Sequence, residues 1–155
     1  NEEKIVMDYI KGWITHARSQ FDQTIAHMTA VLDNWTPYNR AEELGLSRDC
    51  ALLNRGAAYY ALGMREAVDD FEEYVNLHPD ESVAWNDLAA ARRMTGDGSG
   101  EFEALARALQ IDPDCPRSNF AMGHFKYDRW YDEERNEMRN QENIYLEYVK
   151  ELIII

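Results

Sequence analysis

The chain has 155 residues and a formal net charge of −13, and 45% of its residues are hydrophobic. This length and composition suit one domain or a short repeat array with a packed core, and they exclude wholesale disorder. A polyanion cannot bind nucleic acid by releasing phosphate counterions, and an anionic membrane surface repels it, so the expected partners are other proteins. No apolar run approaches the ~18 residues that span a bilayer, so direct membrane insertion is not expected.

The first predicted elements, in residues 5–38, are a pair of helices. Gly12 is the small residue of the first helix, and Phe21 opens the second. A small side chain on one helix lets a second helix axis approach it closely. An extra stretch, residues 39–48, separates this pair from the next and is predicted to be an insert.

Two further helix pairs are predicted in residues 49–81 and 82–114, because residues that end helices recur there at a fixed spacing. Pro79 and Pro113 lie 34 residues apart, and each is expected to end a second helix because proline lacks a backbone donor. A period of this size is typical of units built from two helices.

Small and bulky residues recur in the same register. The left-handed backbone of a helix C-terminus suits Gly63 and Gly96, which are predicted to end the first helix of each pair. Trp85 is predicted to be a core residue of its pair. The small position, where two helices would approach closely, is taken in successive units by Gly56, Ala89 and Gly123.

The C-terminal part is predicted to contain a partial unit and a terminal helix. Residues 116–130 resemble a first helix, with Pro116 suited to its first turn. Residues 131–151 are predicted to form a charged terminal helix that caps the array, or alternatively one that projects and docks on a partner. Its expected buried stripe consists of Met138, Tyr145, Tyr148 and Val149.

The two central pairs resemble the tetratricopeptide repeat (TPR), whose pattern is Trp, Leu-Gly, Tyr, Ala, Phe, Ala, Pro. Arg92 and Glu101 depart from that pattern. The resemblance implies an all-α, right-handed superhelical array of antiparallel helix pairs, with three to four units and a C-terminal helix in one domain. The matching residues are Gly56, Tyr59, Ala67, Phe71 and Pro79 in one unit, and Trp85, Leu88, Ala108 and Pro113, with Ala89 in the glycine place, in the next.

In the resembled family, the first helices of stacked units line a concave groove that holds a peptide or a helix. The groove positions are the second, fifth, sixth, ninth, twelfth and thirteenth of each unit. Packing against neighbouring helices is the competing interpretation for the aromatic residues among them. The candidate partner-binding residues are Tyr9, Trp13, Asn54, Tyr60, Asn86, Arg93, Phe120, His124 and Tyr127.

Some TPR proteins hold the C-terminal carboxylate of heat-shock chaperones with Lys and Asn in one first helix, Asn in the next, and Lys and Arg in the third. Only Asn54 agrees with that carboxylate clamp, and a triplet that starts one unit later fails as well. A peptide or helix with apolar anchors is therefore the expected ligand. The residues at the five clamp positions are Tyr9, Trp13, Asn54, Val83 and Asp87.

The sequence gives only weak indications of metal binding or catalysis. The segment GDGSGEF resembles the middle of a calcium loop, but with Asp97 as the third position the loop begins at Thr95 and ends at Ala106, neither of which can serve as the required acid ligand. The four histidines have no metal-ligand spacing, and no catalytic or nucleotide-binding motif occurs. Neither a cofactor, a metal nor enzymatic activity is expected. Two widely separated cysteines favour a reducing intracellular compartment such as the cytoplasm.

The sequence therefore favours a non-catalytic interaction module or scaffold, as a subunit or adaptor of a larger complex. The alternative is a peptide- or client-holding chaperone or co-chaperone that lacks the carboxylate clamp. A subunit should copurify at fixed stoichiometry, whereas a chaperone should exchange its clients.

Overall fold

A computed structural model describes residues 2–37 and 39–153, with only the backbone described for residue 142 and residues 144–153. The described residues form eight α-helices, joined by short turns except where the insert lies. They are α1 (Glu2–Ala17), α2 (Phe21–Asn34), α3 (Arg40–Glu43), α4 (Arg48–Ala61), α5 (Glu66–Leu77), α6 (Ser82–Met94), α7 (Gly98–Ile111) and α8 (Pro116–Ile153).

Residues 2–115 contain three helix pairs, which we call the first repeat (α1 and α2), the second repeat (α4 and α5) and the third repeat (α6 and α7). Each pair packs together, and α2 also packs on α4 while α5 packs on α6, so the first helices of the second and third repeats are covered by the second helix of the preceding repeat. The predicted all-α array of helix pairs is confirmed. No helix in residues 2–37 and 39–153 is both long and apolar enough to cross a membrane.

The small-residue register positions the two helices of each repeat. A Cβ atom on Gly56 would lie 2.9 Å from Cε1 of Phe71, and one on Gly12 would lie 2.5 Å from Cε of Met28. Ala89 is buried at the corresponding place in α6. The prediction was wrong for Gly123, where an added Cβ would meet no atom within 4 Å, because no second helix follows that residue in the chain.

The turn between the two helices of each repeat contains a residue with a left-handed backbone conformation. Gly63 and Gly96 have φ of +69° and +79°, which confirms their predicted place at the ends of α4 and α6. The first repeat has Ser19 instead, with φ of +57°. A residue with a side chain in this region of φ carries strain that glycine does not.

The insert is ordered and covers part of α1. Asn39 accepts hydrogen bonds from the backbone N–H groups of Ala41 and Glu42, so it caps α3. Ala41 is fully buried in one apolar cluster with residues of α1, α2 and α4. The members of that cluster are Ile5, Tyr9, Met28, Val31, Ala41 and Ala51.

Trp85 differs from its predicted role as a core residue, because it is only partly buried. Its indole N–H donates to the carbonyl of Pro79 at 2.9 Å. Trp85 borders a cavity of about 390 Å³ against α7 and one of about 260 Å³ among α5, α6 and α7. One edge of the indole is therefore accessible where a fully packed core would cover it.

The C-terminal part, from Pro116 onwards, is one continuous helix of 38 residues. The predicted division into a partial unit, residues 116–130, and a terminal helix, residues 131–151, was therefore wrong. No glycine or proline follows Gly123, so nothing in the sequence interrupts the helix. The predicted buried stripe was also wrong at Met138, which is exposed; its other members, Tyr145, Tyr148 and Val149, lie outside the described side chains.

Candidate protein-binding surfaces

Three of the candidate groove residues are exposed on the first helices of successive repeats. Trp13 is 50% exposed on α1, Tyr60 is 43% exposed on α4, and the side chain of Arg93 is 46% exposed on α6. Trp13 packs edge-to-face on the ring of Tyr9, with centroids 5.4 Å apart. Arg93 Nε lies 3.9 Å from Oε1 of the buried Glu101, so the guanidinium is held near the start of α7.

Asn54 is partly exposed on α4, on the same helix as Tyr60. Its side-chain amide donates to the carbonyl of Cys50, one turn earlier, at 2.7 Å. This bond fixes the rotamer of Asn54 without using the oxygen of its amide, which can accept a hydrogen bond.

Two candidates, Tyr9 and Asn86, are buried and are corrected here to packing residues. The Tyr9 hydroxyl donates to the carbonyl of Ser47 at 3.0 Å, and burial raises the pKa of this phenol well above its usual value. The side-chain amide of Asn86 donates to the carbonyl of Ser82 within α6 at 3.1 Å. Both residues occupy the fifth position of their units, which points between packed helices in these repeats.

The other three candidates, Phe120, His124 and Tyr127, lie on α8. Phe120 and Tyr127 are strongly exposed, and His124 Nδ1 lies 3.1 Å from Oδ2 of Asp128. The Tyr127 ring stacks on that of Tyr131, with centroids 6.4 Å apart and planes 17° apart. The spacing 120, 124, 127, 131 and 138 places all of these on one side of a helix, and we call Phe120, His124, Tyr127, Tyr131 and Met138 the α8 stripe.

The stripe continues past residue 130, which was not predicted from the sequence. Tyr131 and Met138 are both exposed, and Arg135 lies over the Tyr131 ring, with its guanidinium carbon 5.8 Å from the ring centroid. The signal was present as a run of residues spaced four and three apart, which indicates one face of a continuous helix.

A buried ion pair, also missed, ties the repeats together. Arg55 of α4 donates through Nε and Nη2 to the carboxylate of Asp70 in α5 at 2.8 and 2.6 Å, and through Nη1 to the hydroxyl of Thr29 in α2 at 3.3 Å. The pKa of Asp70 is raised, chiefly by burial, although the hydrogen bond and the charge of Arg55 oppose the rise. The pair therefore has a structural role at the centre of the helix stack, away from the exposed side chains.

The segment that resembles a calcium loop is the start of a helix. Asp97 caps α7 by accepting a hydrogen bond from the N–H of Gly100 at 2.9 Å, which uses its carboxylate in the turn. Among the residues that the structure describes, no group of three or more His, Cys, Asp or Glu side chains is arranged to hold a metal ion. His27 is instead paired with Asp8, and His78 is paired with Asp49 and, at 3.7 Å, with Glu81.

Comparison with known proteins identifies the fold. No protein-family model matches the sequence. Tetratricopeptide repeat protein 36 from Bos taurus is 42% identical over 45 residues, which is 29% of this chain and 24% of that protein. The chain thus spans about a quarter of the length of this curated relative.

Solved structures of TPR domains match far more of the chain. The first TPR of Spaghetti (RPAP3) bound to the HSP90 peptide SRMEEVD matches 83% of this chain and 94% of its own, with a TM-score of 0.66 and 20% identity. The first TPR domain of human RPAP3 matches 86% of this chain and 98% of its own, with a TM-score of 0.67 and 19% identity. PcrH from Pseudomonas aeruginosa matches 82% of this chain and 89% of its own, with a TM-score of 0.58 and 16% identity. The chain therefore has the tetratricopeptide-repeat fold, and the resemblance seen in the sequence is confirmed.

Proposed function

We propose that this chain is a non-catalytic protein-interaction module, acting as an adaptor, scaffold or subunit of a larger complex. It binds a peptide or helical segment of another protein through a surface that includes Trp13, Tyr60 and Arg93. The observation that carries this proposal is the exposure of one large side chain on the first helix of each of three successive repeats. Trp, Tyr and Arg are the residues that most often anchor protein interfaces.

The fold supports a peptide ligand, because one of its structural neighbours is described with a bound HSP90 peptide, SRMEEVD. The ligand of this chain should differ from that peptide. Of the five positions that form the carboxylate clamp in the resembled family, only Asn54 matches. Tyr9 is buried and Val83 is an exposed apolar residue, while Asp87 would repel a carboxylate. Apolar and aromatic anchors therefore fit the surface better than an acidic C-terminus.

The clear pKa shifts among the described residues belong to packed groups. Perturbed pKa values at functional sites usually belong to groups placed in a cleft. Here each clear pKa shift has a packing explanation, through burial or through an ion pair between neighbouring helices. The groups concerned are Tyr9, Arg55, Asp70 and Tyr74.

A chaperone that holds clients transiently would use the same surface and remains the alternative. Fixed stoichiometry after purification favours the subunit or adaptor, and rapid exchange favours the chaperone. We place the chain in a reducing intracellular compartment, where an exposed thiol such as that of Cys50 stays reduced.

A second candidate surface is the α8 stripe. Its aromatic residues are strongly exposed, which is unusual for side chains of that size unless they meet a partner. A helix laid along α8 would contact the stripe through residues at heptad spacing. This candidate corresponds to the projecting terminal helix weighed in the sequence analysis.

The two surfaces can be separated with a partner obtained by affinity purification of the tagged chain. Tyr60→Ala with Arg93→Glu should weaken binding of the purified partner by about 100-fold, since each anchor is worth more than 1 kcal/mol. Asp69→Ala with Glu73→Ala, on the exposed side of α5, is the matched control. A chain that ends after Trp130 and still gives the helical circular dichroism signal removes part of the α8 stripe. If the groove variant binds normally and this shortened chain does not, α8 is the interface.

A further inference from the structure

The outer face of α1 carries a row of exposed apolar side chains. Met7, Ile10 and Ile14 are 50%, 43% and 46% exposed, and their spacing places them along one side of the helix. Trp13 points toward the candidate groove, and Tyr9 points into the core. Ile10 occupies a groove position of its unit, as Trp13 does, whereas Met7 and Ile14 occupy positions outside the groove set.

The second repeat shows what covers this face when a helix precedes it. Counting from the start of each unit, residue 5 corresponds to residue 49, so Met7 and Ile14 correspond to Ala51 and Ala58 of α4. Both alanines are fully buried, and α2 packs on α4. The third repeat has the same arrangement, because the residues of α6 that correspond to Met7 and Ile14 are buried and α5 packs on α6. The same face is thus covered by a helix in two of three repeats.

The edge of this face on α1 is basic. Lys4, Lys11 and Arg18 are exposed and lie seven residues apart, so they form one line beside Met7 and Ile14. In α4, the residues that correspond to Lys4 and Lys11 are Arg48 and Arg55, and Arg55 donates a hydrogen bond to α2, the covering helix. In a chain with a net charge of −13, a line of three cations beside an apolar row is a distinct feature.

We propose that the outer face of α1 binds an amphipathic helix of another protein, which lies on α1 as α2 lies on α4. The incoming helix has an apolar stripe that meets Met7 and Ile14, and an acidic edge that meets Lys4 and Lys11. Because methionine and isoleucine stand where α4 has alanine, the stripe of the incoming helix has to contain small residues for the axes to reach a packing distance of about 8–10 Å. An anionic lipid surface is disfavoured by the acidity of the whole chain.

The test uses synthetic helices, because the natural ligand is defined here only by its chemistry. One labelled peptide of about 20 residues, long enough to be helical alone, carries an alanine and leucine stripe flanked by glutamates, and a second carries lysines in place of the glutamates. Fluorescence anisotropy measures binding, and the ¹³C-methyl signal of Met7, assigned with Met7→Leu, reports the site. We expect saturable binding of the glutamate peptide alone, with a shift of the Met7 signal.

Variants of the chain then assign the binding energy. Met7→Glu with Ile14→Glu should abolish binding, and Lys4→Glu with Lys11→Glu and Arg18→Glu should weaken it at least tenfold. If the variant with Glu at positions 7 and 14 does not fold, the variant with the three reversed charges still tests the proposal. Tyr60→Ala with Arg93→Glu, in the candidate groove, should change binding by less than about twofold.

Four results would overturn the proposal. The first is equal binding of the two peptides, and the second is binding that ignores the Met7 and Ile14 substitutions. The third is binding to phosphatidylserine vesicles, lost with the same substitutions, when neither peptide binds; the face would then be a lipid contact. The fourth is a dimer in sedimentation that Met7→Glu dissociates, which would make a second copy of this chain the occupant.

Discussion

The second and third repeats each use one arginine to tie three helices together, but at different places and depths. Arg55 of α4 bonds to Asp70 of its own second helix and to Thr29 of the preceding α2. Arg92 of α6 bonds to the carbonyl of Gly100 in its own second helix and to Glu72 of the preceding α5. The Asp70 side chain is 5% exposed, whereas that of Glu72 is 43% exposed.

The same kind of connection between repeats therefore has very different energetic consequences. A buried carboxylate depends on its partner, because the charge left behind has no water to solvate it. An exposed carboxylate keeps most of its hydration, so its loss costs little. Arg92 also occupies the tyrosine position of the TPR pattern, which explains how the third repeat departs from that pattern without losing the contact between its helices.

The largest expected effect comes from removing the acid of the second repeat. Asp70→Ala leaves the Arg55 guanidinium partly buried without its carboxylate, and it should lower the free energy of unfolding by about 3–5 kcal/mol. Urea denaturation followed by circular dichroism measures this. Asp69→Ala, at the exposed neighbouring position, should change stability by less than about 0.5 kcal/mol.

A double substitution sharpens the same comparison. Because burial raises the pKa of Asp70 despite Arg55, the ion pair gains little over an apolar pair of similar size. Arg55→Met with Asp70→Leu should therefore recover most of the stability that Asp70→Ala loses. A double variant as unstable as Asp70→Ala would show that the ion pair itself supplies the stability.

Exchanging the small residue between the repeats should have an intermediate effect. Gly56→Ala introduces the residue that the third repeat has at position 89, but its Cβ would lie 2.9 Å from the Phe71 ring and 3.2 Å from Cβ of Asp70. We expect a net loss of about 1–2 kcal/mol after the gain in helix propensity. Gly123→Ala is the matched control on α8, where no atom lies within 4 Å, and it should stabilise the helix. Equal responses of the two variants in thermal unfolding would contradict the packing role of Gly56.

The arginine of the third repeat should matter less. Arg92→Met keeps much of the buried stem but loses the bonds to Gly100 and Glu72, so we expect a loss of about 1 kcal/mol in chemical denaturation. Arg65→Met, at an exposed position between α4 and α5, should leave stability nearly unchanged. A cost for Arg92→Met as large as that for Asp70→Ala would break the contrast between the two repeats.

A further effect is expected in the alkaline range. Burial and the hydrogen bond to Glu81 raise the pKa of Tyr74 to about 12, while tyrosine in the unfolded chain titrates near 10. The unfolded state therefore loses protons first, and stability should fall as the pH rises from about 10 through 12. Tyr74→Phe should reduce this fall in the urea midpoint, whereas Tyr60→Phe, at an exposed position, should not. Identical pH profiles for Tyr74→Phe and the unchanged chain would exclude the role of this phenol.

The repeat register was readable from the sequence because it depends on residues with strong local preferences. Gly63 and Gly96 ended helices as predicted, and Gly56 took its close contact, since each role depends on glycine itself. The burial of Tyr9 was not readable, because it depends on how the insert folds and brings the Ser47 carbonyl over the phenol. Helix positions indicate a face, but only the tertiary structure shows what covers it.

The charge network was unreadable for a related reason. Arg55 and Asp70 lie 15 residues apart, and neither spacing nor composition distinguishes them from the many other charged residues of an acidic chain. The division of the C-terminal part was misjudged because the repeat pattern stops at Trp130 while helix propensity does not. A repeat pattern indicates where helices pack, whereas α8 continues because residues 124–153 contain no proline and no further glycine.

The uninterrupted α8 sets a distance scale for whatever assembles on it. At 1.5 Å per residue, Phe120 and Met138 lie about 27 Å apart along the helix axis, which is five full turns. Ligands at the two ends of the stripe would be held at a fixed separation by a rigid rod, without competing for the same side chains. A single substitution such as Glu134→Pro, between the two ends, would kink or break α8, so that the separation of the two ends is no longer fixed, while leaving the three repeats intact.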